Sequence, residues 1–285
     1  MPEDKEERKV GPKYRVMSQD LYSTGLHSDE LGIRQAEVWR SKSRQFTKDS
    51  DIIGKIEEAT MDPDRKKLGH MEKSGFITLR SSLWSGEMDE SSRRLVVKLF
   101  SETGTWLATI EEIVAESYAL SYATDDPMLS FVVLVDGIEI MTRIQEVQRS
   151  GIATETYGFL ILGPEGTFEV FRIEGKRATL GDDFRVVRLN GGQTVAEIDS
   201  KFADIGGEFV VKVKDPVLAK NNWFCRVLQC FSVAIRYRKQ MHDKIERVLK
   251  KWKDNKIEPL QHRYETSLLA NPRKLTLSIE ELEEV

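Results

Sequence analysis

Glu174 and Lys176 stand one residue apart at the end of FEVFRIEGK, with Asp126 and Asp136 upstream. A carboxylate, one intervening residue and a lysine, joined by a further acid, is an arrangement suited to metal-dependent nucleolysis: converging carboxylates bind magnesium and the lysine steadies the attacking water. A chain with 32% charged residues produces such triplets by chance, and Glu174-Gly175-Lys176 falls where a tight turn is expected. A metal-dependent nuclease is therefore the alternative reading. His27, His70, His242 and His262 are scattered without the paired spacing of zinc ligands, so surface imidazoles are expected. GPEGT has the glycines of a phosphate loop but no following Lys-Ser or Lys-Thr pair, and a strand comes next, which makes it a hairpin turn. No Gly-x-Ser-x-Gly elbow is present, and no cofactor or metal is expected.

The richer pattern is residues 236–253, RYRKQMHDKIERVLKKWK. Tyr237, Met241, Ile245, Val248, Leu249 and Trp252 form a narrow apolar stripe at helical spacing. Around it stand Arg236, Arg238, Lys239, Lys244, Arg247, Lys250, Lys251 and Lys253, opposed only by Asp243 and Glu246. A basic amphipathic helix of this kind can lie on an anionic membrane surface, enter an acidic protein groove, or track nucleic-acid phosphates. Equally, its stripe can pack on its own domain and leave the charges as a solvated face. The sequence 277–285, LSIEELEEV, carries four glutamates, a capping-box spacing from Ser278 to Glu281, and Ile279, Leu282 and Val285 on one side. It is a candidate internal partner for the basic helix.

Composition bounds these readings. The chain has 285 residues, 40% of them hydrophobic, enough to bury a sizeable core. A net charge of -4 excludes a polycation, so contact with an acidic partner must come from a local patch. Only Cys225 and Cys230 are present, five apart in one helical stretch and poorly placed for a disulfide, which points to a reducing compartment. The charged start MPEDKEERKVGPKYR carries no targeting signal, and a cytoplasmic or nuclear location is expected.

The elements that would position these residues read as follows. GFITLRSSLW and RLVVKLF are strands; TGTWLATIEEIVAESYALSY has the period of a helix, with Glu111, Glu112 and Glu116 outside its apolar arc. MLSFVVLV is a strand covered on both faces, and residues 137–151 form a helix in preference to a hairpin at Asp136-Gly137. YGFLIL with FEVFRI, and DDFRVVRL with QTVAEI, are hairpins, the second turning at Asn190-Gly191, and EFVVKVK completes an antiparallel meander. The helix that follows, in DPVLAKNNWFCRVLQCFSVAIRY, is apolar over half its circumference or more, with Arg226, Gln229, Ser232 and Arg236 on the remaining stripe. Thirteen mostly apolar residues are too few to span a bilayer, which needs roughly 20, so this helix belongs in the protein's own core.

From Gly158 to Tyr237, this order of strands, Asp-Pro and apolar helix resembles the tubby-like and LURP-like roll. That resemblance implies a strand barrel with a C-terminal helix running through it, and no lipid-binding residue of those families has a counterpart here. The helices read at Thr105 and Gly137 do not suit such a barrel. Taken together, the sequence predicts an α+β fold: a mixed sheet with an α/β-like middle section, an antiparallel meander and a long amphipathic C-terminal helix. Residues 1–30 are expected to be loosely attached, 31–256 to form the main domain, and 257–285 a tail with a short acidic helix. The function expected is a non-enzymatic interaction protein whose basic helix contacts an acidic protein, an anionic membrane surface or nucleic acid; a nuclease-like enzyme or a purely structural subunit is the alternative.

Overall fold

Twelve strands follow one another around a ring: β1 (Tyr14–Leu21), β2 (Ser50–Met61), β3 (Glu72–Arg80), β4 (Val96–Ser101), β5 (Trp106–Glu112), β6 (Ser130–Val135), β7 (Thr142–Gln148), β8 (Thr156–Leu162), β9 (Phe168–Gly175), β10 (Phe184–Arg188), β11 (Thr194–Lys201) and β12 (Glu208–Val213). The computed structural model describes residues 14–21, 45–61, 70–148, 155–163, 166–176, 183–201 and 207–254. Every strand pairs antiparallel with its neighbours in sequence, and β1 pairs with both β2 and β12, so the sheet closes. Closure leaves no unpaired edge. The α+β mixed sheet predicted from the sequence is thereby corrected to a closed antiparallel barrel, the architecture that the tubby-like resemblance implied.

Three local readings fail for identifiable reasons. WLATIEE is β5, with Ala108 and Ile110 facing the lumen, and only Val114–Thr124 is helical (α1). The helical period of the stretch arose from a strand running directly into a helix, and of the glutamates taken for its wet face Glu111 and Glu112 are buried while Glu116 is half-buried. Asp136-Gly137 is the turn of a β6–β7 hairpin, with Gly137 in the left-handed region at φ 75°, so the helix read at 137–151 is strand β7. Tyr14–Leu21, assigned to a loosely attached N-terminal segment, is the strand that closes the ring: Met17 faces Val211 on one side and Glu58 on the other. The acidic segment 277–285 lies outside the described residues.

A ring of twelve strands leaves a lumen wider than its own side chains can fill. The chain fills it with α2 (Asn222–Ile235), which at 1.5 Å per residue runs for roughly 21 Å. Asp215 accepts the backbone N–H groups of Val217 and Leu218, and the Asn221 side chain caps the first turn by accepting from Phe224 N at 3.1 Å. Phe224 packs on Phe171 and Phe159; Phe231 meets Tyr157 and Phe184 edge-on at 5.0 and 5.6 Å. The long C-terminal helix expected from the sequence is in fact two, broken at Arg236-Tyr237. The second, α3 (Arg238–Lys253), lies across the mouth where α2 emerges and contributes Met241, Ile245, Val248 and Leu249 to the same core.

Candidate functional site

The mouth covered by α3 is ringed by carboxylates from strand ends and loops. Lys244 is 4% exposed and donates to both oxygens of fully buried Glu112 at 2.6 and 2.7 Å, and to the carbonyl of Arg93 at 2.9 Å. Next to it, His242 contacts Glu146 at 3.1 Å, and Glu146 also accepts Leu129 N. Arg238 pairs with Glu155. Burial, aided by the negative charge of Glu146, outweighs Arg238 and His242 and pushes the Glu155 carboxyl above its usual range. These contacts hold α3 to the barrel from its inner face. Of the basic residues proposed as a binding face, Lys244 is therefore an internal cation, and His242 is buried, not superficial.

The other cations face outward. Arg247 and Lys251 share Glu90, in the 3-10 turn Glu90–Ser92, at 2.6 and 3.3 Å, and Lys253 reaches Asp125 at 2.6 Å. All three lysine and arginine side chains are half exposed or more, where solvent screening leaves such pairs weak and exchangeable. Arg236, Lys239 and Lys250 are exposed and have no ion pair among the described residues. Lys239, Asp243, Glu246 and Lys250 fall at i, i+4, i+7 and i+11, so this ridge of α3 carries two acids between two lysines and no net charge. The surplus of positive charge gathers at the last turn. There Trp252 is 38% exposed beside Tyr122 of α1, 64% exposed, their rings 6.3 Å apart.

At the opposite mouth the polar stripe of α2 meets inward-pointing groups of β1 and β2. Glu58 accepts from Arg15 at 2.7 Å and from Arg226 at 2.8 Å, and Arg15 also donates to Asn222; farther along α2, toward the α3 mouth, Ser232 donates to Gln19 at 2.8 Å. Although burial alone would raise it, the two guanidiniums hold the Glu58 carboxyl below its usual range. Beside this triad opens a cleft of ≈ 340 Å³, lined by Arg15, Glu58, Ala59, Thr60, His70 and Glu72. Two guanidiniums on one carboxylate leave the triad one net positive charge, and its evident work is to accept the helix's one polar edge inside an apolar lumen.

Glu174, next to last in β9, is bonded by Arg185 at 2.7 Å and by Arg172, while Lys176 donates to Asp199 at 2.9 Å. Asp136 sits in the β6–β7 turn and Asp126 follows α1, so the nuclease constellation is not assembled around Glu174. Among the described residues no group of three or more histidine, cysteine or acidic side chains could hold a metal ion. No helix among them is long and apolar enough to cross a membrane. The residues that sequence reasoning missed are the acidic partners Glu90, Glu112, Glu146 and Glu155. A signal existed for one of them, since Glu112, with Glu111, interrupts the largely apolar run WLATIEEIV. Comparison with protein-family models, curated proteins and solved structures gives no match to this chain.

Proposed function

We propose that this chain is a non-enzymatic binding module that contacts an acidic partner or surface through the exposed end of α3. The observation that supports this reading is the gathering of Arg247, Lys250, Lys251 and Lys253 around the exposed Trp252 and Tyr122 pair. Aromatic rings with a wet face and surrounding cations suit an anionic layer or an acidic groove, because the rings contribute contact area at small entropic cost while the cations supply attraction. Met241, Ile245, Val248 and Leu249 of α3 are already covered by the barrel, so the helix offers a rim of charge and the Trp252 ring, beside Tyr122 of α1. The free, buried thiols of Cys225 and Cys230 accord with a cytoplasmic or nuclear location.

Binding to vesicles with and without phosphatidylserine, to a polyglutamate peptide and to duplex DNA, each measured over a salt series, tests the reading. At least one anionic probe should bind and weaken with salt, since the Debye length is about 8 Å at physiological ionic strength. Reversing the charges of Arg247, Lys250, Lys251 and Lys253 should abolish that binding with little change in thermal midpoint. Absence of binding to every probe would leave the charges as a solvated face and reject the proposal.

A further inference from the structure

The seat of α3 holds more acid than permanent base. Glu112 and Lys244, both nearly without exposure, neutralise each other. That leaves Glu146 and Glu155 with Arg238 and His242, two carboxylates for one guanidinium and one imidazole. Glu146 is the less satisfied acid. Its Oε2 takes Leu129 N at 2.9 Å and meets His242 Nε2 at 3.1 Å, while its Oε1 is buried with no hydrogen-bond partner among the described residues. The charged groups on the surrounding elements are engaged elsewhere. Glu111 of β5 is paired with Arg94, and Glu116 of α1 with Arg143 of β7; the Tyr118 hydroxyl of α1 donates to the Ser91 carbonyl and brings no charge. Glu90 takes Arg247 and Lys251 on the outer side, and Asp243 and Glu246 of α3 are themselves acids.

We infer that α3 docks with one added proton, held among His242, Glu146 and Glu155, and that the helix is a pH-sensitive cover over the barrel mouth which loosens as that proton leaves. The charge count carries this. Two carboxylates, Arg238 and one proton sum to zero, whether the proton rests on the imidazole or on a carboxyl. Without it, one net negative charge stays in a largely buried setting, and a buried charge without a counter-charge is costly. The Glu155 carboxyl, which burial and the charge of Glu146 hold above its usual range, points the same way. A group raised in the folded state lends stability that is complete below its unfolded value and lost as pH rises through the folded one. The loss falls on α3 and not on the ring of strands. Outside this seat the helix is held by the stripe Met241, Ile245, Val248 and Leu249 and by exposed pairs, so it can open locally while the barrel stays closed. This device concerns the inner face of α3 and does not depend on what its exposed end contacts.

The test is amide hydrogen exchange of the full-length protein between about pH 5 and about pH 8.5, the range in which an imidazole exchanges its proton, corrected for the intrinsic effect of pH on exchange. Protection of Ile245 to Leu249 should fall by about tenfold or more as pH rises, since one proton can contribute up to tenfold per pH unit. The amides of β6 should hold constant. Glu155→Gln, at the rim of the seat, removes the excess charge and should flatten the profile, keeping α3 at its low-pH protection throughout; a merely structural role for Glu155 would instead lower protection at every pH. The unaltered protein decides by itself if that variant does not fold. Protection of α3 that is level with pH, a loss shared equally by β6, or a slope retained in Glu155→Gln would each overturn the inference.

Discussion

Removing the positive charge of Lys244 should be among the most damaging single substitutions outside the aromatic core. Its ammonium group is enclosed with Glu112, whose carboxylate has no exposure and receives one other hydrogen bond, from Leu95 N at 3.2 Å. Lys244→Met keeps the length and most of the volume of the side chain but leaves Glu112 ionised in an apolar setting, or forces it to take up a proton. Breaking a buried pair from one side costs about 3–5 kcal/mol. At about 2–4 °C per kcal/mol for a chain of this size, the thermal midpoint should fall by roughly 6–20 °C. Glu112→Gln should do comparable harm by stranding the lysine. The double variant should recover to within about 1–2 kcal/mol of the parent, because a neutral amide still accepts from Leu95 N and no charge is left behind. Urea unfolding of the four proteins measures the cycle. If Lys244→Met stays within about 0.5 kcal/mol, the range of surface substitutions, Lys244 is a solvated cation and the account of how α3 is held is wrong.

Phe231→Ala, which removes a ring packed edge-on between Tyr157 and Phe184 in the lumen, should cost about 3–5 kcal/mol in the same assay. Glu58 has a carboxyl depressed in the folded state, so its contribution to stability is present above the unfolded carboxylate range and is lost as pH falls through the lower folded value. Acid titrations should therefore show Glu58→Gln with a shallower loss of stability than the parent below about pH 4.3; parallel curves would remove Glu58 from the account. Burial pushes the Cys225 thiol up to about 11 despite nearby Arg15, and Cys230 is raised further. Neither should react with iodoacetamide at pH 8 until the chain is unfolded, as intact-mass spectrometry would report. Glu174→Ala should create no defect in nucleic-acid processing, and magnesium-dependent cleavage that disappears in this variant would restore the nuclease reading.

Much of the fold was written locally. The apolar circumference of residues 223–235 announced a helix without a wet face wide enough for the surface, and the lumen is where α2 lies. Asn190-Gly191 marked its turn, and the alternation in EFVVKVK set Phe209, Val211 and Val213 against the core, because period and turn chemistry act over a few residues. Closure is of another kind. It depends on β1 meeting β12, segments almost two hundred residues apart, and nothing in YRVMSQDL taken alone says that Val211 and Glu58 will lie on either side of Met17. The helical period of WLATIEEIVAESY misled for a related reason: Glu112 is buried by virtue of Lys244, 132 residues away, and a local pattern scores such a glutamate as solvent-facing. The same pairing decided which cations of the C-terminal helix face out. The sequence by itself determined that residues 236–253 would be basic and amphipathic; only the tertiary structure turned Lys244 inward and left Lys250, Lys251 and Lys253 at the rim, because a charge can be buried only where the fold delivers its counter-charge.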